Sequence, residues 1–238
     1  IQEFPRPGML IGETGLRALG EGRVAVLGVG GVGSHAIEAL ARSGVGRLAL
    51  VDNDTVSLTN INRQSIALHS TVGRYKTQVI KEKIADINPK CNVSTFETFV
   101  LPDNLEELFG QIGPVDYILD AIDTVTAKLA LIVYAQSHDI PIVASMGTGN
   151  KLHPELFQIS DIYKTSVCPL CKVMRRELKA RQVKKLTVCW SPELPLTPEP
   201  TEEDTGARRA TPGSIAFVPP VAGLLIAGKI VRDLCGLE

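Results

Sequence analysis

Residues 23–52 read RVAVLGVGGVGSHAIEALARSGVGRLALVD, and the fold turns on them. RVAVLGV (23–29) is a short apolar run bounded by glycine, the pattern of a buried strand. Residues 33–43 carry Ile37, Leu40 and Ala41 at helical spacing, and residues 47–52 make a second apolar run that ends in Asp52. Strand, glycine-rich turn, helix and strand in so short a span form a β–α–β unit with a parallel pair.

The alternation continues outward. Residues 73–88 put Ile80, Ile84 and Ile87 on one face and stop at Pro89, which predicts a helix. Strands are expected at 93–97 (VSTFE), 115–120 (VDYILD) and 140–146 (IPIVASM), with a helix over 125–138. The class is therefore α/β, a doubly wound Rossmann-like sheet. After Gly149 the pattern changes. ELFQISDI (155–162) alternates like a half-exposed strand, 169–183 is helical, and KLTVCW (185–190) is a further strand. These predict a mixed sheet with an antiparallel C-terminal extension. Residues 192–212, rich in Pro, Thr and acid, read as a mobile loop, and a small-residue apolar helix closes the chain at 219–235. Glu3-Phe4 and Leu237-Glu238 match dipeptides that common cloning sites encode, and Met9 could be a natural start. Residues 9–238 are accordingly expected to form one domain, with 1–8, Arg6 included, left outside it.

The 238 residues suit one large α/β domain, and 44% hydrophobic with 21% charged residues is ordinary for a globular protein. A net charge of −1 excludes a global basic field, so any nucleic-acid contact must come from a local patch. An odd, sparse set of cysteines (Cys91, Cys168, Cys171, Cys189, Cys235) fits reduced thiols in the cytoplasm. The longest apolar stretch, 215–227, is too short to span a bilayer and holds two prolines, so no transmembrane segment is expected.

Gly28-x-Gly30-Gly31-x-Gly33 sits between strand and helix, where glycines permit a tight turn and let backbone N–H groups reach a phosphate. Asp52, ending the next strand, is placed to accept hydrogen bonds from a ribose. That much does not separate NAD from ATP. The polar run that follows, VDNDTVSLTNINRQ (51–64), offers Asp54, Asn60, Asn62, Arg63 and Gln64. Lys76 falls in the first turn of a helix, where a lysine opposes the helix dipole unless an anion is present. Asp123, in LDAIDT, leaves a strand at its carboxyl edge. Each alone is an ordinary solvated residue. Together, two cations and a carboxylate describe a triphosphate with Mg²⁺, which a dinucleotide would not require.

GVGGVG, VDND, NINRQ, GRYK and DAID, in that order over roughly residues 10–160, resemble the ubiquitin-activating (E1-like) adenylating enzymes, among them the sulfur-carrier activators of thiamine and molybdopterin synthesis. The resemblance implies ATP and Mg²⁺ as cofactors. Gly31 would approach the phosphates and Asp52 would hold the ribose. Asn60 and Asn62 would shape the γ-phosphate side. Arg63 and Lys76 would bind phosphates, and Asp123 would hold the metal, making Arg63, Lys76 and Asp123 the catalytic set. RSGVGRLALVDNDTVSLTNINRQ, INPKCNV, QISDIYKTSVCPLCKVMRREL and PGSIAFVPPVAGLLIAGKIVRDL extend the similarity, over nearly the whole chain, to the bacterial tRNA threonylcarbamoyladenosine dehydratases. That similarity implies a tRNA substrate, a homodimer and, by resemblance only, a sulfur-relay (cysteine desulfurase) partner. The rival readings are an activator of a ubiquitin-like sulfur carrier and an NAD-dependent dehydrogenase.

Cys168-Pro-Leu-Cys171 is one CxxC, whereas a closed zinc site needs four ligands. Cys189 and His153 stand at no standard spacing from it, so zinc is not expected and the thiols read as free. Cys189 has nothing nearby to make it a nucleophile, and Cys91 and Cys235 read as core. Residues 172–185 carry Lys172, Arg175, Arg176, Lys179, Arg181, Lys184 and Lys185 against Glu177 alone. The plain reading is a solvated helix face; the functional one is a tRNA backbone contact, which positions rather than specifies.

Overall fold

The computed structural model describes residues 4–199 and 212–237. In chain order the elements are α1 (Pro5–Glu21), β1 (Arg23–Leu27), α2 (Gly33–Ser43), β2 (Arg47–Val51), α3 (Lys76–Ile87), β3 (Asn92–Phe96), α4 (Leu105–Ile112), β4 (Tyr117–Asp120), α5 (Val125–Ser137), β5 (Ile142–Ser145), β6 (Gln158–Asp161), α6 (Pro169–Ala180), β7 (Thr187–Trp190) and α7 (Pro219–Leu234). The strands form one seven-stranded sheet in the order β3-β2-β1-β4-β5-β7-β6.

The central strands are continuous apolar runs because helices cover both faces. Val24 and Val26 of β1 point into a core with α2, α3 and α7, while Ala25 and Leu27 point into a second with α4 and α5. A third cluster joins α5 and α6 to β5 and β7. The C-terminal extension differs from expectation in one respect. β7 pairs with β5 in parallel, and only the edge strand β6 runs antiparallel. The crossover through α6 brings the chain back in the direction of β5, so the reversal falls one strand further out.

Residues 5–8, set aside on sequence grounds, form the start of α1, and the Phe4 ring lies over Gly44. The helix breaks at Gly12, whose φ of 68° is left-handed. Part of the stretch expected to be a mobile loop, 200–211, lies outside the described residues; 191–199 carry no regular structure.

The turn between β1 and α2 is closed by backbone on backbone. A Cβ on Gly33 would sit 1.8 Å from the Gly28 carbonyl oxygen, so no side chain fits there. Gly110, in α4, has nothing within 4 Å of such an atom. Gly33→Ala should therefore destabilise the fold by about 1–3 kcal/mol or more, whereas Gly110→Ala should stabilise it by about 0.4–1 kcal/mol, both measured by urea unfolding.

Candidate active site

A cavity of about 550 Å³ opens at the carboxyl ends of the central strands, within the range of small-ligand sites. It lies where the strand order reverses between β1 and β4, the place such sheets use for ligands. Gly28 turns there with φ of 101°, and a side chain on it would meet the Ala121 carbonyl oxygen at 2.4 Å. The glycine turn thus abuts the β4–α5 loop, and Gly28, Gly30 and Gly31 face the cavity.

Asp52 is fixed by two amides. Val29 N–H donates to Oδ2 at 2.7 Å and Asp54 N–H to Oδ1 at 2.8 Å. A carboxylate has lone pairs left after this, and these can accept from ligand hydroxyls. Lys76 starts α3 and is buried, with Nζ 2.9 Å from Asp54 Oδ2. The anion that the dipole argument demands is thus present in the chain itself, and Lys76 alone does not prove a phosphate. Its place on the cavity wall beside Asp54 leaves it able to serve one.

Arg63 lines the cavity, and its guanidinium is held by Thr59 O at 3.1 Å and Asn62 Oδ1 at 2.9 Å. Asn62 Nδ2 donates in turn to Ser214 O at 2.9 Å. Asn60 Oδ1 accepts the Ser57 N–H at 3.0 Å and closes a turn of three-ten helix, Leu58–Asn60. Neither asparagine reaches the cavity, and neither does Gly33. In the structure Asn60 and Asn62 build the loop that aims Arg63, and Gly33 packs α2 on β1. Gln64 does line the cavity, and its buried Oε1 has no hydrogen-bond donor among the described residues. Such orphans call for an explanation, and a ligand is one.

Asp123 faces the cavity from the β4–α5 loop, exposed, with Thr124 Oγ1 donating to it at 3.3 Å. The loop is set from below by a pair that sequence reasoning missed. Asp120 and Lys128 are both fully buried. Asp120 Oδ1 accepts the Ile122 N–H at 3.0 Å, and Lys128 Nζ donates to the Ile122 carbonyl at 2.8 Å. The same Nζ lies 3.1 Å from Asp120 Oδ2 at an angle short of a hydrogen bond. Burial pushes the Asp120 carboxyl above its ordinary range, and the Lys128 charge pulls the other way.

The far end of the cavity was also missed. It is formed by Ser145–Gly149, Leu170 and Pro212–Ser214. The available signal was the small-residue run GTGN at the carboxyl end of β5. Asn150, at φ of 59°, holds this end: Leu196 N–H donates to its carbonyl at 2.8 Å, its own N–H to Gly213 O at 2.8 Å, and Gly213 N–H to its Oδ1 at 2.7 Å.

The structure does not gather the remaining zinc candidates. Cys168 and Cys171 lie in the α5–α6 core, Cys189 in the core on the opposite face of the sheet, and His153 is an exposed partner of Glu155. On α6, Arg175 is no free cation, because its guanidinium is tied to Thr165 O at 3.0 Å. Arg176 and Arg181 both pair with Glu177. Lys172 and Lys179 are exposed and have no ion-pair partner among the described residues.

The ThiF family model matches residues 6–238. The chain belongs to the ThiF family. The tRNA threonylcarbamoyladenosine dehydratase of Bacillus subtilis (strain 168) is 45% identical to this ThiF-family chain over 98% of it and 95% of the relative. The crystal structure of the Escherichia coli tRNA N6-threonylcarbamoyladenosine dehydratase TcdA in complex with ATP superposes with a TM-score of 0.89 at 34% identity, covering 99% of this chain and 95% of that one. The same enzyme in complex with AMP superposes equally well, with a TM-score of 0.89.

Lys128→Met would leave the Asp120 carboxylate buried without a cation, a change that costs about 3–5 kcal/mol. Its folded pKa would rise further above the unfolded one, so the folded state would hold a proton that the unfolded chain releases. Stability should then fall more steeply than in wild type as pH rises above the ordinary carboxylate range. Urea unfolding between pH 5 and 8 checks this, and Asp120→Asn with Lys128→Met should recover most of the loss.

Proposed function

We propose that this chain is a tRNA threonylcarbamoyladenosine dehydratase that adenylates the carboxylate of N6-threonylcarbamoyladenosine with ATP and lets an internal nitrogen close the ring. The observation that carries the reading is the continuity of the cavity: one end has the glycine turn, Asp52, Arg63, Lys76 and Asp123, and the other is a small-residue pocket at 145–149. The B. subtilis relative and the ATP-bound E. coli enzyme support it.

A carboxylate is a poor electrophile because oxide is a poor leaving group, and transfer of AMP to it supplies a better one. In this reading the amides of the 28–32 turn and the cations Arg63 and Lys76 stabilise charge as the α-phosphate changes partners. Asp52 accepts hydrogen bonds from the ribose. Arg63, held by Asn62 and Thr59, loses little freedom on binding. The second step joins two atoms of one bound substrate, so proximity replaces an enzyme nucleophile.

Asp123 fits a magnesium ion, being an exposed hard-oxygen ligand in the same cavity as two cations, and Mg²⁺ commonly binds through one or two carboxylates with phosphate oxygens and water. The ion would neutralise and orient phosphate oxygens. The exposed Lys172 and Lys179 follow Leu170 of the cavity wall along α6 and suit a tRNA backbone. Met9 and Leu10 on α1, 84% and 88% exposed, and Phe217, Leu224 and Leu225 at α7 offer apolar surface for a second copy of the chain. No helix among the described residues is long and apolar enough to cross a membrane, and a tRNA substrate fits a cytoplasmic location.

Wild-type protein with ATP, Mg²⁺ and tRNA carrying the open nucleoside should release AMP and yield a nucleoside lighter by one water in mass spectrometry; an unchanged nucleoside refutes the assignment. Arg63→Ala or Asp123→Ala should lower AMP release by about 100-fold or more with unfolding midpoints preserved. Lys172→Glu with Lys179→Glu should weaken tRNA binding and reduce its salt slope by about one unit for each phosphate no longer neutralised, with ATP binding unchanged.

A further inference from the structure

The CxxC is left unused by the adenylation site, yet it stands directly behind that site's far wall. Cys168 stands at the N-cap position of α6 and Cys171 lies in its first turn. Both are buried in the α5–α6 core, 1% and 0% exposed. Leu170, between them, is itself part of the cavity wall. Gly147 is another part, and a Cβ on it would point at the Cys168 sulfur from 3.8 Å. That sulfur thus packs against the glycine backbone that lines the cavity.

Three further features mark the pair. Val167, immediately before it, has φ of 60°, a left-handed conformation rare and strained for a β-branched residue. Lys151 is 4% exposed and has no hydrogen-bond or ion-pair partner among the described residues, and its charge acts on Cys168. The thiols differ sharply. Cys168 is held well below the ordinary thiol range, chiefly by a hydrogen bond from the Cys171 thiol and, against the cost of burial, by the Cys171 and Gly147 amides and Lys151. The Cys171 amide approaches too loosely to count as a full cap. Cys171 is pushed up by donating to its neighbour, and burial raises Cys91 to about 11 and Cys189 to about 12. A thiolate beside a protonated thiol is the arrangement of a dithiol that oxidises reversibly.

We propose that Cys168 and Cys171 are a redox modification site that hydrogen peroxide converts to an intramolecular disulfide at the wall of the cavity. The Cys168 thiolate attacks one peroxide oxygen and hydroxide leaves, giving a sulfenic acid. The Cys171 thiol attacks that sulfur, and water leaves as the disulfide forms. Two electrons pass from the pair to peroxide, and a dithiol reductant returns them. The bond ties down both ends of the segment carrying Leu170 and removes the negative charge facing Gly147 and Lys151. This site does not depend on the substrate proposed above.

The test is peroxide treatment of the whole protein, then unfolding, alkylation, trypsin digestion and mass spectrometry. Residues 165–172, TSVCPLCK, form one tryptic peptide with both cysteines. It should lose two hydrogens while Cys91, Cys189 and Cys235 stay reduced, and dithiothreitol should restore it. Cys171→Ser should stop at a sulfenic acid that dimedone traps on Cys168, and Cys168→Ser should slow oxidation by about tenfold or more. A peptide that keeps both thiols while other cysteines oxidise, or a Cys168→Ser variant that reacts at the wild-type rate, overturns the proposal.

Discussion

Everything at the site rests on one contact between two stretches of backbone. Gly28, at the end of β1, lies against the Ala121 carbonyl at the end of β4, with room for no Cβ between them. This is where the winding of the sheet reverses, and the two loops would otherwise diverge. Pressed together, they bring the amides of the glycine turn and the Asp123 carboxylate to one cavity. Gly33 makes the matching contact from the helix side, so β1, α2 and the β4–α5 loop are set by backbone alone.

The charged groups are held before any ligand arrives. Lys76 has Asp54, Arg63 has Asn62 and Thr59, and Asp52 has the amides of Val29 and Asp54. Such fixed partners cost desolvation but spare reorganisation during reaction, which is the larger part of electrostatic catalysis. Asp120 and Lys128 extend the same logic into the core, where they grip the amide and carbonyl of Ile122 just ahead of Asp123. A buried pair of this kind is weak evidence for stability; its value here is that it fixes a loop.

The β–α–β unit and the succession of strands are legible in the sequence because local periodicity dictates them. The insertion of β7 between β5 and β6 is not, since it depends on where a crossover returns. α4 did leave a signal, with Leu105, Leu108, Phe109 and Ile112 at helical spacing behind two acids, Glu106 and Glu107. α1 begins inside the 1–8 stretch that its Glu3-Phe4 dipeptide had set aside, and no helix was expected there. At the site, Asp52, Arg63, Lys76 and Asp123 are legible, and the structure brings them to one cavity. Asn60 and Asn62 stand beside Arg63 in sequence and so resemble ligand contacts; that Asn60 closes its own turn and Asn62 ties Arg63 to Ser214 depends on the fold. Lys128 was illegible for the opposite reason. A lysine among apolar helix residues reads as surface until its buried carboxylate is known. Arg175 looks like a free cation until Thr165 is placed beside it.

Asn150 fastens both limbs of one excursion of the chain, gripping Leu196 on the way out and Gly213 on the way back. Ser214 follows at once and is anchored to Asn62, and through it to Arg63. Leu196 and Gly213 are therefore tied to one residue. The anchors lie in described residues on either side of the intervening chain, and they hold Ser214, and through Asn62 the arginine, independently of what joins them. A relative could then change the sequence between those two anchors and keep Arg63 where it is.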